Sequence, residues 1–260
     1  MKINYYIVDA FTNECFKGNP AGVCILDEML PDQTMQKIAA ENNLPETAFA
    51  CKKGGAYELK WFTPTFEIDL CGHATLATAF VIYNYVEPGL DHITFETVSG
   101  VLEVTKQQNK YEMSFPKREA HRIVCTSEIR QAIGTEPVAL YSERDLYVQM
   151  NSEAEVKKYV PDYNRLQTLN KWLGVVITAK GETVDFVSRY FCPELGMEDP
   201  VTGSSHSTLI PLWSEKCHKS KMVAQQLSQR GGTLYCENGS DDVKISGEAV
   251  LYLKGEIDIE

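Results

Sequence analysis

The sequence predicts an α+β protein of two similar domains, each a curved sheet around a buried central helix. Three observations predict it. First, the chain nearly repeats itself: W-F-T-P-T-F-E-I-D-L-C-G-H-A-T-L at residues 61–76 is answered by Y-F-C-P-E-L-G-M-E-D-P-V-T-G-S-S-H-S-T-L at 190–209. Phe62 matches Phe191, Pro64 matches Pro193 and Gly72 matches Gly203. Second, the H-A-T-L-A-T-A-F-V-I-Y that follows Gly72 is apolar on most sides, and a helix apolar all round is buried. Third, alternating strand-like segments separated by turns surround each copy of the repeat.

The elements follow in order. Residues 3–9 form a first strand, a glycine-proline loop runs through G-N-P-A-G-V, and V-C-I-L is the second strand. Pro31-Asp32 opens a helix through about Asn43, with Met35, Ile38 and Ala39 on its apolar side, and Leu44-Pro45 stops it. Glu46-Thr47 lead into the strand A-F-A-C, and Tyr57–Thr63 is the next. The buried helix follows Gly72. Residues 92–116 alternate as three strands. Pro116-Lys117 marks the boundary between domains at 1–116 and 117–260, with the last strands free to return to the first domain. The second half holds helices near Ser127–Ile133 and Tyr163–Trp172, and strands at Val138–Tyr141, Leu146–Met150, Gly174–Thr178 and Val184–Tyr190. The second glycine-led helix spans Ser205–Lys216, and Pro211 inside it should kink it or shorten its regular part. The last 35 residues read as three strands with turns at Asn238-Gly239 and Lys254-Gly255.

Composition narrows the function. With 260 residues, 43% of them hydrophobic and 23% charged, the chain can bury a sizeable core. Its net charge of −11 and the lack of any basic stripe argue against nucleic acid. No apolar stretch is long enough to span a bilayer, and M-K-I-N-Y-Y-I-V-D lacks the apolar region of a signal peptide, so a cytoplasmic protein is expected. The eight cysteines include no C-x-x-C pair and the five histidines are scattered. Free thiols and no metal site are therefore expected. Walker loops, G-x-G-x-x-G, G-x-S-x-G and H-E-x-x-H are all missing.

Each copy of the repeat passes from an extended aromatic-proline segment, through a carboxylate, to a glycine that opens a helix. Such a helix start offers unpaired N–H groups and a partial positive charge, and so holds anions. Two of them in like domains predict one small acid bound in a cleft between those domains.

Five motifs carry a resemblance. G-N-P-A-G-V at Gly18–Val23, N-L-P-E-T-A-F at Asn43–Phe49, C-G-H-A-T-L-A at Cys71–Ala77, R-Y-F-C-P at Arg189–Pro193 and E-D-P-V-T-G-S-S-H at Glu198–His206 resemble the phenazine-biosynthesis PhzF family, in order and over almost the whole chain. The resemblance implies the fold of diaminopimelate epimerase, with two pseudo-symmetric domains, each a curved mixed sheet or barrel wrapped on a central helix. It implies a cofactor-independent isomerase, often dimeric, in which Glu46 is the general acid/base. It implies that His73 and Asp199 share in proton transfer or orientation, and that Gly72, Gly203, Ser204 and Asn19 contact a carboxylate-bearing substrate. Phenazine-type substrates are not implied, because many chains with these motifs occur where no phenazine is made.

Structural roles compete at each position. Glu46 could be a solvated loop carboxylate, His73 a packed residue, Asp199 a helix cap, Gly203 and Ser204 a plain turn and Asn19 an Asn-Pro turn. Cys71 stands where epimerases of this fold carry one of two catalytic thiols, but the second falls in D-P-V-T, which has none. It is expected to be a small buried residue. His206 is as well read as a packed histidine, and Arg189 as structural, paired with a carboxylate or with Asp199. The function expected is proton shift on a small acid. A racemase acting at one carbon and a non-catalytic acid-binding protein are the alternatives.

Overall fold

A computed structural model describes residues 1–259 and divides the chain into two compact units, Met1–Ser114 with Ser246–Glu260, and Phe115–Ile245. Unit 1 contains strands β1 (Lys2–Ala10), β2 (Asn19–Leu26), β3 (Glu46–Lys53), β4 (Ala56–Phe62), β5 (Glu67–Ile68), β6 (His92–Thr97), β7 (Gly100–Gln107) and β8 (Lys110–Pro116), with β18 (Ala249–Asp258) from the end of the chain. Its helices are α1 (Asp32–Asn42) and α2 (Gly72–Val81), and the turns of α2 widen into a π-helix over Ile82–Val86. Unit 2 contains β9 (His121–Ile123), β10 (Ala139–Ser142), β11 (Leu146–Gln149), β12 (Val175–Lys180), β13 (Phe186–Cys192), β14 (Met197–Asp199), β15 (Lys221–Gln226), β16 (Gly232–Asn238) and β17 (Asp242–Gly247). Its helices are α3 (Ser127–Ile133), α4 (Glu153–Lys158), α5 (Tyr163–Leu166) and α6 (Gly203–Cys217).

The two sheets repeat one topology. In unit 1 the ladder runs β18-β1-β2-β3-β4-β6-β7, parallel at β2–β3 and β4–β6 and antiparallel elsewhere. In unit 2 it runs β9-β10-β11-β12-β13-β15-β16, parallel at β11–β12 and β13–β15 and antiparallel elsewhere. The short strands β5 and β14 pair back on β4 and β13 before α2 and α6 begin. Both sheets are mixed because each glycine-led helix is the crossover that a parallel strand pair requires.

Helix α2 packs on β1, β2, β3 and β18. Every residue from Gly72 to Ala79 is buried, as its apolar composition demands. The buried Thr75 and Thr78 hydroxyls donate to the carbonyls of Cys71 and Ala74, four residues back, so neither costs an unpaired group. In α6 the buried Trp213 stacks on Phe186, with ring centroids 5.8 Å apart.

Four sequence expectations need correction. Asn19 does not lie in a loop: it is the first residue of β2, paired with Ala10. Gly18 makes this possible, since it has φ +65° and a Cβ there would stand 2.1 Å from the Ala10 carbonyl oxygen. The helix expected over Tyr163–Trp172 is only the single turn of α5, while α4 was not foreseen. Its start is nonetheless written in the chain, because Ser152 Oγ accepts the Glu155 amide and the Glu155 carboxylate accepts the Asn151 amide. Lys254-Gly255 forms no turn, for both residues sit inside β18 opposite Tyr6 and Tyr5.

Pro211, finally, does not shorten α6, which runs on to Cys217. Proline lacks the N–H that would bond the carbonyl four residues back, which is that of Ser207. The Arg118 amide donates to that oxygen instead, at 3.1 Å.

Leu76 lies fully buried in the centre of α2, and Val98 is 79% exposed in a turn. Leu76→Ala should lower the unfolding free energy by about 2–5 kcal/mol, and Val98→Ala should change it by less than about 0.5 kcal/mol. Urea denaturation of both variants checks the pair.

Candidate active site

Three pieces of unit 1 converge on one imidazole. Glu46 opens β3 because Leu44-Pro45 ends the preceding turn, and His73 is the second residue of α2. Asn19 opens β2. His73 Nε2 lies 3.0 Å from Glu46 Oε2, with the two side chains 7% and 18% exposed. The pair is within ion-pair distance but is not aligned as a hydrogen bond. At the other ring nitrogen, Nδ1 is 3.2 Å from Asn19 Nδ2 and 3.5 Å from Cys71 Sγ. An amide such as that of Asn19 serves either state of a histidine: its NH2 donates to a bare Nδ1, and turned over, its oxygen accepts from Nδ1–H.

Burial alone would push the His73 imidazole down, but Cys71 and Glu46 outweigh it and hold the pKa well above the ordinary histidine value. The Cys71 thiol is itself pushed up, first by burial, with His73 acting against that. Negative charge on either neighbour favours imidazolium.

The residues expected in the second half lie in unit 2. Asp199 ends β14 and accepts a hydrogen bond from the Thr202 hydroxyl. It does not cap α6, because the N-cap is Thr202. Buried Gln226 fixes this corner, accepting from the Thr202 amide at 2.9 Å and donating to the Asp199 carbonyl at 2.8 Å. Gly203 and Ser204 open the helix. His206 is a packed residue: it is fully buried beside Phe186, and its Nδ1–H donates to the Thr202 carbonyl at 2.8 Å. Burial pushes its pKa down to about 4, against a small upward effect of that carbonyl. Arg189 braces the unit, forking onto Glu198 at 2.7 and 2.9 Å and donating to the carbonyls of Val156 and Tyr159. Its partner is Glu198, not Asp199.

The helix starts differ in kind. Helices α3, α4 and α5 are capped by the side chains of Thr126, Ser152 and Asp162. Neither α2 nor α6 has a side-chain cap, and Gly72 and Gly203 are buried. Helix α1 also lacks one, but it opens at the surface. First-turn amides in the interior need an acceptor, and an acidic ligand is one.

Among the described residues, one trio, Glu46, Cys71 and His73, brings possible metal-ligand atoms within 4.8 Å of one another. The imidazole meets Glu46 through one nitrogen and Cys71 through the other. No helix of the described residues is long and apolar enough to cross a membrane.

Paired mixed sheets, each with a buried glycine-led helix, define an epimerase-like fold. Its likeness to a hydroxyproline epimerase from Agrobacterium vitis, at TM-score 0.64 and 10% identity over 98% of this chain and 92% of that one, concerns the fold alone. The family is narrower. The profile of the phenazine biosynthesis-like proteins (PhzC-PhzF) matches residues 8–255, and the chain belongs to that family. An uncharacterized isomerase of Pseudomonas aeruginosa is 44% identical, over 99% of both chains. The crystal structure of a PhzF-family phenazine biosynthesis protein from Enterococcus faecalis superposes at TM-score 0.97 with 48% identity, over the whole of both chains.

Histidines 73 and 206 should act on stability with opposite signs. His73 has a raised pKa, so its favourable interaction with Glu46 is complete below about pH 6.5 and is lost as pH rises through the folded value. The stability difference between wild type and Glu46→Gln should therefore be largest near pH 6 and shrink above it. His206 has a depressed pKa, so the unfolded chain takes up its proton first as pH falls. Between about pH 6.5 and pH 4 that should remove about 3 kcal/mol of stability, a loss absent in His206→Asn. Urea titrations across this range separate the two.

Proposed function

We propose that the chain is an isomerase that shifts a proton on a small carboxylate-bearing substrate by general acid/base catalysis. One observation carries this reading: a carboxylate and a histidine, Glu46 and His73, stand 3.0 Å apart beside a buried, uncapped helix start. The amides at Gly72 and His73 hold the substrate's carboxylate and steady the charge that develops as a neighbouring C–H gives up its proton. The Glu46 carboxylate takes that proton and becomes a carboxylic acid. It returns the proton to a different carbon as the double bond moves, and is again a carboxylate. Electrons and protons balance within the substrate, so no oxidant or reductant enters. His73, favoured as imidazolium, supplies positive charge and a hydrogen-bond donor next to Glu46. Partial burial of the pair strengthens both effects. Membership of a family whose relatives include proteins named isomerases supports the reading.

A second version is favoured by the thiol. Cys71 Sγ meets the ring nitrogen of His73 that Glu46 does not, and a thiol there is a proton donor. With Glu46 as base and Cys71 as acid, the same residues would invert a single carbon.

Proton NMR in D2O tests both, using a panel of cyclic and acyclic hydroxy- and amino-acids. Deuterium should enter a substrate C–H with the wild type, and the rate should fall by about 10²-fold or more in Glu46→Gln. In the isomerase, Cys71→Ser should retain exchange at both positions, whereas loss of exchange at one stereocentre would favour the epimerase. Compounds that broaden on binding yet exchange nothing with either protein would mark a binding protein and end the catalytic reading.

A further inference from the structure

The shared topology equates positions in the two units. Thr47 pairs with Phe62, and Val175 pairs with Phe191. Since Phe62 and Phe191 match in the repeat, Thr47 corresponds to Val175 and Glu46 to Gly174. Gly22 pairs with Thr47, and Leu146 pairs with Val175, so Asn19-Pro20-Ala21 correspond to Glu143-Arg144-Asp145. His73 and Ser204 are each the second residue of their helix.

Unit 2 therefore has no acid where unit 1 has Glu46. The space is taken by another group: a Cβ at Gly174 would lie 2.3 Å from Tyr190 Oη. That hydroxyl donates to Asp145 Oδ1 at 3.0 Å, and Tyr147 donates to Oδ2 at 3.4 Å. Asp145 is wholly buried. Held from both sides, it anchors Arg144, whose Nη2 lies 3.0 Å from Asp145 Oδ2 and 3.1 Å from Ser204 Oγ. Arg144 Nε is buried with no partner. Asn19, one position before the counterpart of Arg144, reaches the second residue of α2, and Arg144 reaches the second residue of α6.

Two features of this corner call for an anion. A guanidinium has donors only, so Ser204 Oγ must accept from it, and the serine's own hydrogen is left to donate outward at the start of α6. A cation at the positive end of a helix is also on the unfavourable side of the dipole. Asp145 offsets one charge, and the buried, uncapped first turn adds further donors. The Arg144 guanidinium, the Ser204 hydroxyl and the first amides of α6 all offer donors here.

We propose that Arg144 is a positioning residue for substrate binding: it fixes the Ser204 hydroxyl as a donor and, with the first amides of α6, forms a carboxylate-recognition corner in unit 2. This rests on the substrate being a small acid, as argued above.

Trifluoroacetate is a suitable probe, followed by amide 15N–1H spectra so that each helix start reports for itself. In the wild type the amides of Gly203, Ser204 and Ser205 should shift saturably. Arg144→Gln should weaken the fitted affinity at these amides by about 10-fold or more, the effect of a lost hydrogen bond to a charged group. Ser204→Ala should also weaken it, and Arg144→Lys should recover part of the loss. Shifts at Gly72 and His73 test the unit 1 reading separately. The inference fails if the α6 amides do not saturate in the wild type. It fails equally if Arg144→Gln lowers the melting temperature but leaves their titration unchanged, or if Ser204→Ala binds as the wild type does.

Discussion

The first amides of α2 and α6 are buried, and neither helix brings a side chain to receive them. Much else in the structure answers to that constraint. A side-chain cap would occupy the space in front of the helix and make the end inert, as Thr126, Ser152 and Asp162 do for the outer helices. The polar residues at these helix starts are His73, Glu46 and Asn19 in unit 1, and Ser204, Arg144 and the Asp199–Thr202 turn in unit 2. An acidic ligand is a suitable acceptor for first-turn amides that no side chain caps.

The same scaffold has been given opposite electrostatic roles. In unit 1 an acid and a histidine sit together, and the pair can gain or lose protons. In unit 2 the place of the acid is a glycine filled by a tyrosine ring, and the fixed charges belong to an arginine and an aspartate that hold each other. His206 shows the difference. It lies in the first turns of α6, yet faces Phe186 and is held neutral, whereas His73 faces a carboxylate. What a histidine does at a helix start is set by its neighbours, not by its place in the motif.

The repeat, the all-apolar helix and the glycine before it were enough to indicate two like units with a buried helix in each. Asn19, Glu46 and His73 were legible as candidates because they stand in motifs, and the structure brings these three together. Arg144, Asp145, Tyr147 and Tyr190 were not legible. Nothing in Y-S-E-R-D-L-Y marks a buried acid, since a charged pair beside a turn reads as exposed until strand pairing places it. Gln226 was hidden for the same reason, lying far along the chain from the Thr202 amide that it binds. Local signals failed mainly where tertiary contacts overrule them. Lys254-Gly255 resembles a turn but is held extended by β1. Asn19-Pro20 resembles one too, but the bend falls at Gly18.

Pro211 has a wider meaning than its place in one helix. By withholding an N–H it leaves the Ser207 carbonyl with a vacancy, and the backbone of Arg118, distant in sequence, occupies it. A residue usually regarded as an interruption thus works as a fastener. The connection is made through main chain, so substitutions at 118 other than proline leave its donor in place. Trimming the chain past Arg118, by contrast, would strip a buried oxygen of its donor. A proline thus ties the start of unit 2 to a helix more than 90 residues further on.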